Sequence, residues 1–254
     1  MDIRGKTATT TPIPKVSIWP DLKERNRQPE LMDDPQLDQR LHQQALKGLS
    51  RINRLTRTHR LLWQPIETYC RENHLNSVSV LDLGCGSGDL LVWLCSKAHS
   101  KGIDLKMTGC DLSPVALEAA RHRAEQEKLD AEFLQMDVLD GVLPADRDVV
   151  VCSLFLHHLQ AGDVVRLLQR MAETARHLLI AQDLLRSRWG YLMCWVGTRL
   201  ISRSPIVHVD GPLSVAGAFT LAEIQQLAER AGLTDCQIKR HWPERFVLTW
   251  KRSA

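Results

Sequence analysis

Between residues 75 and 182 the apolar positions fall in short runs separated by segments of helix length. Val78, Val80, Leu81 and Leu83 make the kind of run a strand shows when both faces of a parallel sheet are covered. Comparable runs near 105–110, 132–136, 148–154 and 177–182 predict four more strands. The patterns between them predict helices near 89–99, 114–127 and 163–175. Alternation on this scale is the signature of a doubly wound α/β sheet. The end of the chain reads differently. Thr220-Leu-Ala-Glu223 is a capping box that opens a helix stopping at Gly232, and strands near 235–241 and 245–251 form a hairpin around Pro243-Glu244.

Upstream of the sheet, residues 35–73 read as helical. Leu37, Leu41, Leu46, Leu49, Ile52 and Leu55 recur at threes, fours and fives, and Leu61, Leu62 and Ile66 continue after a break near Thr56–His59. Residues 1–30 are polar, carry Pro12, Pro14, Pro20 and Pro29 and show no periodicity, which predicts a mobile tail. The expected organisation is therefore a tail over 1–30, a helical cap over 31–74 and one α/β domain over 75–254, interrupted by an insertion at 183–218.

The most informative segment is Val80-Leu-Asp-Leu-Gly-Cys-Gly-Ser-Gly-Asp89. Gly84, Gly86 and Gly88 give a turn whose backbone a ligand can approach without meeting a Cβ. The helix opened by Asp89 points its unpaired amide N–H groups toward that turn. The dinucleotide fingerprint G-x-G-x-x-G would need glycine at position 89, where an acidic side chain repels a pyrophosphate, and no Gly-Lys-Ser/Thr follows to make a P-loop. Asp82, just before the turn, can attract a cationic group. A ligand with an ammonium and no phosphate fits better.

Asp82-Leu-Gly-Cys-Gly-Ser-Gly88 resembles motif I of the class I S-adenosylmethionine-dependent methyltransferases. Three further matches follow in the family's order, over roughly residues 75–250: Met107-Thr-Gly-Cys-Asp-Leu-Ser-Pro114, Leu134-Gln-Met-Asp-Val138 and Asp148-Val-Val-Val-Cys-Ser-Leu-Phe-Leu-His-His-Leu159. The resemblance implies a seven-stranded, Rossmann-like sheet with a terminal antiparallel hairpin, and S-adenosylmethionine as cofactor. It also implies that Asp111 holds the ribose hydroxyls, that Leu112 packs on adenine and that Asp137 meets the adenine amino group. Cys85, Val138 and Ser153 complete the cofactor set on the same matches. Ser113-Pro114 supplies an N-cap and an N1 proline for the next helix, which leaves Asp111 free of that duty.

Ligands of open α/β sheets bind outside the carboxyl ends of the strands. Leu156-His157-His158 and the insertion 183–218 belong there. The insertion carries Trp189-Gly-Tyr-Leu-Met-Cys-Trp-Val-Gly-Thr198, an apolar run too short for a bilayer, which needs about 20 residues. It reads as a core helix and lid over an apolar acceptor, with a weak membrane-surface contact through 189–201 as a second reading. Methyl transfer to an oxygen benefits from a base, and histidine suits that task near neutral pH. His157, His158 and His208 are the candidates, with Asp183 a further one. His157 and His158 point opposite ways if extended, so at most one of them is expected to face the cleft. Asp210, two residues after His208, is placed to orient that imidazole.

Shorter stretches, Leu154-Phe-Leu-His-His-Leu159 and His208-Val-Asp-Gly-Pro-Leu-Ser-Val215, are similar to small-molecule methyltransferases associated with type III polyketide synthases. More distantly the domain is similar to the ubiquinone/menaquinone biosynthesis methyltransferases. These resemblances imply O-methylation of a small phenolic or polyketide-type acceptor, with C-methylation of a quinol-like ring as the alternative.

Composition narrows this further. A net charge of +3 over 33 basic and 30 acidic side chains offers no bulk field for nucleic acid. An RNA methyltransferase would use the stripe Arg51, Arg54, Arg57 and Arg60, but Ser153-Leu-Phe-Leu-His replaces the Asn/Asp-Pro-Pro-Tyr/Phe of the amino-methylating DNA and RNA enzymes. A non-catalytic scaffold would not need Asp82, the three glycines and Asp111 together. The seven cysteines include no Cys-x-x-Cys pair and read as reduced core residues, with neither a metal nor a disulfide framework. With no apolar run in Met1-Asp-Ile-Arg-Gly-Lys-Thr7, the expected compartment is the cytoplasm. Oligomeric state is left open.

Overall fold

A computed structural model describes residues 16–34 and 36–252. Seven strands form one sheet: β1 (Ser77–Leu83), β2 (Asp104–Asp111), β3 (Ala131–Gln135), β4 (Arg147–Ser153), β5 (Ala175–Leu184), β6 (Gln237–His241) and β7 (Arg245–Lys251). Their order is β3-β2-β1-β4-β5-β7-β6, parallel throughout except that β7 runs antiparallel to both its neighbours. The predicted α/β fold with its terminal hairpin is what forms.

The apolar runs place successive side chains on opposite faces, as a strand period of two requires. Val78 and Val80 enter one core layer with Leu62, Trp63 and Ile66 of α2 (Thr58–Glu72) and Leu91 and Leu94 of α3 (Asp89–His99). Leu81 and Leu83 enter the other, with Val164, Leu167 and Leu168 of α5 (Ala161–Thr174). The helix α4 (Pro114–Gln126) between β2 and β3 is N-capped by Ser113, whose hydroxyl accepts from Ala116 N. The capping box at Thr220 and Glu223 opens α8 (Leu221–Arg230).

The N-terminal helices divide their duties. α1 (Gln39–Leu55) ends at the predicted break, and α2 belongs to the sheet-covering layer rather than to a separate cap. The expected mobile tail is corrected over residues 16–30; residues 1–15 lie outside the described residues. Leu22 is buried, Asn26 N donates to Ala216 O, and Arg25 Nη2 donates to the His157 carbonyl at 2.8 Å. Arg186, itself buried, donates to the Leu22 and Ala218 carbonyls and forks onto both oxygens of Glu223. Proline-rich polar sequence hid this, because the segment is held by backbone acceptors and two arginines instead of by a periodic apolar face.

The insertion after β5 folds into α6 (Arg188–Ile201) and α7 (Pro205–Gly217), which pack on each other and on α1. Tyr191 and Thr198 of α6 are buried, while Trp189, Val196 and Leu200 on its other side are exposed. Among the described residues no helix is long and apolar enough to cross a membrane.

Candidate functional site

Gly84, Gly86 and Gly88 all adopt positive φ, at 73°, 52° and 74°, so the chain reverses sharply between β1 and α3. Gly86 matters most. An added Cβ there would meet nothing within 4 Å, so the backbone faces open space that a ligand can fill. Its N–H donates to Asp111 Oδ2, and Ser113 N donates to Asp111 Oδ1. Asp111, with Ser113 taking the cap role, is thus fixed at the rim of the loop by two backbone amides, and each oxygen keeps a further lone pair for a hydroxyl donor.

Asp82 lies under the loop, 1% exposed, and neither carboxylate oxygen has a partner among the described residues. Burial, reinforced by the charge of Asp111, pushes its carboxyl up to about 7. An orphaned buried carboxyl beside an open glycine cradle asks for a cationic donor, and the ammonium of S-adenosylmethionine supplies one. The residues present fit that cofactor.

A cavity of about 290 Å³ adjoins the cradle and is lined by Asp82, Gly84, Cys85, Gly86 and Ser153. Three separate segments roof it: Leu46, Leu49 and Ile52 of α1, the turn at Glu30–Asp33, and Cys194 and Thr198 of α6. Ser50 Oγ donates to Asp89 Oδ1, tying α1 to the first turn of α3, and Asp89 also pairs with Arg123. The Ser153 hydroxyl is engaged by Gln182 Oε1 at 2.9 Å. Burial pushes the Cys85 thiol upward, so it stays neutral.

The other expected cofactor residues divide. Leu112 is exposed at the carboxyl end of β2, open for a base to stack on. Asp137 is an exposed loop residue whose Oδ1 accepts from Leu139 N, and Val138 is 4% exposed within the main core. Neither side chain lines the cavity.

The histidines differ most from expectation. Leu156–His158 forms a single 3-10 turn, not an extended strand end, so His157 and His158 lie together with ring centroids 4.3 Å apart. Both line the cavity. His157 is buried with Nδ1 2.7 Å from Asp183 Oδ1 and Nε2 3.5 Å from Glu30 Oε1. Burial alone would lower its pKa, but Asp183, by charge and hydrogen bond, and then Glu30 raise it to about 10. His157 is therefore a held cation at neutral pH and cannot accept a proton. His158 is less enclosed, with Nε2 4.0 Å from Glu30 Oε1 and Nδ1 3.5 Å from Asp33 Oδ2. His208 is withdrawn as a candidate: its Nε2 bonds to the Ser202 carbonyl at 2.8 Å and it does not line the cavity. Asp210 does not orient it either; the Asp210 carboxylate accepts from Leu31 N and Met32 N instead.

Glu30, His157 and His158 present ligand atoms within 4.8 Å of one another, close enough to hold an ion. Both ring nitrogens of His157 already face carboxylates, Nδ1 toward Asp183 and Nε2 toward Glu30. Sequence reading did not reach Glu30, His59 or Arg245, all of which line the cavity. Glu30 closes the segment taken for a tail, and Arg245 opens an edge hairpin. Nothing local marks either.

The sheet order with its terminal antiparallel hairpin is the fold of the class I S-adenosylmethionine-dependent methyltransferases, and the glycine cradle, Asp82 and Asp111 fit that cofactor. Residues 80–177 match the family described as a methyltransferase domain. The chain is 37% identical over 83 residues to the ribosomal protein L11 methyltransferase of Burkholderia mallei, covering 32% of this chain and 25% of that protein. It thus spans about a quarter of the length of these curated relatives. It is 28% identical over 162 residues to the ubiquinone biosynthesis O-methyltransferase of Coxiella burnetii, covering 63% and 64% respectively. Among solved structures, magnesium protoporphyrin IX methyltransferase from Synechocystis with bound S-adenosylhomocysteine superposes with a TM-score of 0.55 at 17% identity, over 87% of this chain and 90% of that one.

Proposed function

We propose that this methyltransferase acts on a small, largely apolar acceptor and methylates an oxygen of an aromatic ring. The observation that carries this is the roofed cavity, which runs from the glycine cradle to His158 and is lined on its α1 side by Leu46, Leu49 and Ile52. A macromolecule does not fit beneath three converging segments, whereas a ring system does. The relative from Coxiella burnetii is named an O-methyltransferase, which agrees with this reading.

The sulfonium of the bound cofactor supplies an already activated methyl group. The protein's task is alignment, worth up to about 7–11 kcal/mol of barrier when the reacting atoms are held in line. The glycine loop fixes one reactant through Asp82 and Asp111, and the leucines of α1 exclude water from the other. His158 takes the hydroxyl proton of the acceptor at Nε2, with Asp33 beside Nδ1 to stabilise the imidazolium. His157 stays protonated and holds Glu30, keeping the roof turn over the cavity.

The test is incubation with labelled S-adenosylmethionine and a panel of resorcinols, pyrones and quinols, followed by locating the label. Label on oxygen supports the reading; label on a ring carbon turns it to C-methylation. The seven cysteines, none paired, support a reducing compartment such as the cytoplasm. A weak lipid contact through α6 rests on exposed Trp189, Val196 and Leu200, and vesicle flotation tests it.

A further inference from the structure

Besides Asp82, the cavity contains a second buried charge that the fold does not answer, and this one is positive. Arg245 opens β7, is 4% exposed and lines the cavity. Its Nη2 donates to Thr56 Oγ1 at 3.1 Å, but Nε and Nη1 have no partner among the described residues. Asp183 lies near enough to be felt, yet its oxygens are already committed to the His157 ring, the His157 N–H and the Leu184 N–H. The other acidic side chains lining the cavity, Glu30, Asp33, Asp82 and Asp89, give the guanidinium no hydrogen bond or ion pair among the described residues. Burial, with the charges of Arg245 and Arg123, holds the His59 imidazole down at about 4, so it is neutral, and burial pushes the Cys194 thiol up to about 12.

A buried guanidinium with most of its donors idle is costly unless a ligand completes it. A purely structural arginine would spend those donors on carbonyls, as Arg186 does. Position separates Arg245 from the cofactor cradle. It pairs with Leu184 on β5, and β4 and β5 intervene between β7 and β1, a lateral offset of about 14 Å at ordinary strand spacing. Asp82 and Arg245 thus set opposite charges at the two ends of one cavity, the cofactor end and the acceptor end. The other arginine nearby, Arg123, is already paired with Asp89, so a single unanswered positive charge remains. That suits a monoanionic carboxylate better than a phosphate dianion.

We propose that Arg245 anchors a carboxylate on the methyl acceptor, so that the substrate is an aromatic acid and not a neutral phenol. This rests on the reading of the cavity as the acceptor site. Benzoate and benzamide, equal in shape and different in charge, are the probes, titrated calorimetrically into the full-length protein loaded with S-adenosylhomocysteine. Benzoate is expected to bind at least about tenfold more tightly than benzamide. Arg245→Met should erase that preference, leave S-adenosylhomocysteine binding within about twofold, and leave the melting temperature no lower than that of the wild type. Arg245→Lys, which keeps the charge, should retain the preference in weakened form, and it decides the matter if Arg245→Met does not fold. Equal binding of the two probes, or an unchanged preference in Arg245→Met, overturns the assignment. Loss of S-adenosylhomocysteine binding in that variant also overturns it, because the guanidinium would then serve the cofactor's own carboxylate. Transfer of the methyl group to carbon would refute O-methylation while leaving the benzoate result standing.

Discussion

His157 and Asp183 meet twice: the ring Nδ1–H donates to Oδ1 at 2.7 Å, and the His157 backbone N–H donates to Oδ2 at 2.9 Å. Because β5 delivers Asp183 and the turn after β4 delivers His157, the pair fastens the mouth of the cleft to the sheet. The folded imidazole holds its proton up to about 10 against an ordinary 6.5. Its contribution to stability is therefore complete below about 6.5 and is lost as pH rises through about 10. Asp183 and Glu30 are held below their ordinary values despite burial, chiefly by His157, so their share is lost as pH falls into the acid range. Asp183→Asn breaks a buried pair and is expected to cost about 3–5 kcal/mol at neutral pH. Urea denaturation of both proteins at neutral and alkaline pH checks this: the gap between them should narrow as pH rises.

Asp82 behaves in the opposite sense. Its buried carboxyl, raised to about 7 by desolvation and by Asp111, weakens the folded protein while it waits for a cation. Binding of an ammonium ligand requires the ionised form, so affinity for S-adenosylhomocysteine should fall as pH drops below about 7, by up to about tenfold per pH unit. Asp82→Asn is expected to raise the melting temperature of the ligand-free protein by a few degrees, at about 2–4 °C per kcal/mol, while weakening cofactor binding at least about tenfold. Thermal shift with and without S-adenosylhomocysteine reads both effects. A variant that loses stability without ligand would show Asp82 to be structural.

How far the sequence reveals this molecule follows the range of each interaction. The strands, the capping box at Thr220 and the glycine turn are local, set by periodicity and by residues within four positions of one another, and all form where expected. The charge network of the cleft is non-local. Glu30, His157 and Asp183 are separated by 127 and 26 residues, and Arg245 meets Thr56 across 189. A two-residue rule about extended strands placed His157 and His158 on opposite sides, and one 3-10 turn reversed that. The apparent partnership of His208 and Asp210 failed for a related reason. In α7, residues two apart point to different sides, and each found a nearer partner, the Ser202 carbonyl for one and the amides of Leu31 and Met32 for the other.

Gly86 tests the cradle directly. A Cβ there meets no protein atom within 4 Å, so the loop has room for a side chain, although φ of 52° costs a β-branched residue about 1–2 kcal/mol. Gly86→Val should therefore fold with a modestly lower melting temperature and show no calorimetric binding of S-adenosylhomocysteine. Retained binding would place the cofactor away from the loop.

The identity of the base separates two histidines whose rings stand 4.3 Å apart. His157 already carries its proton, so it has no capacity to take another; His158 faces the cavity between Glu30 and Asp33 with side-chain exposure of 28%. His158→Gln is expected to leave S-adenosylhomocysteine binding intact and slow turnover of a hydroxylated acceptor by about 10²–10⁴-fold. Its pH–rate profile should lose the limb that reports the base, and acceptors with more acidic hydroxyls should recover part of the rate because they reach the cleft already ionised. His157→Gln should instead lower stability, because it leaves Asp183 and Glu30 buried without their shared cation. His208→Ala, outside the cavity, should change turnover by no more than about twofold. Steady-state kinetics across this series places the base at His158 only if the rate loss, the altered profile and the recovery with acidic acceptors occur in the same variant.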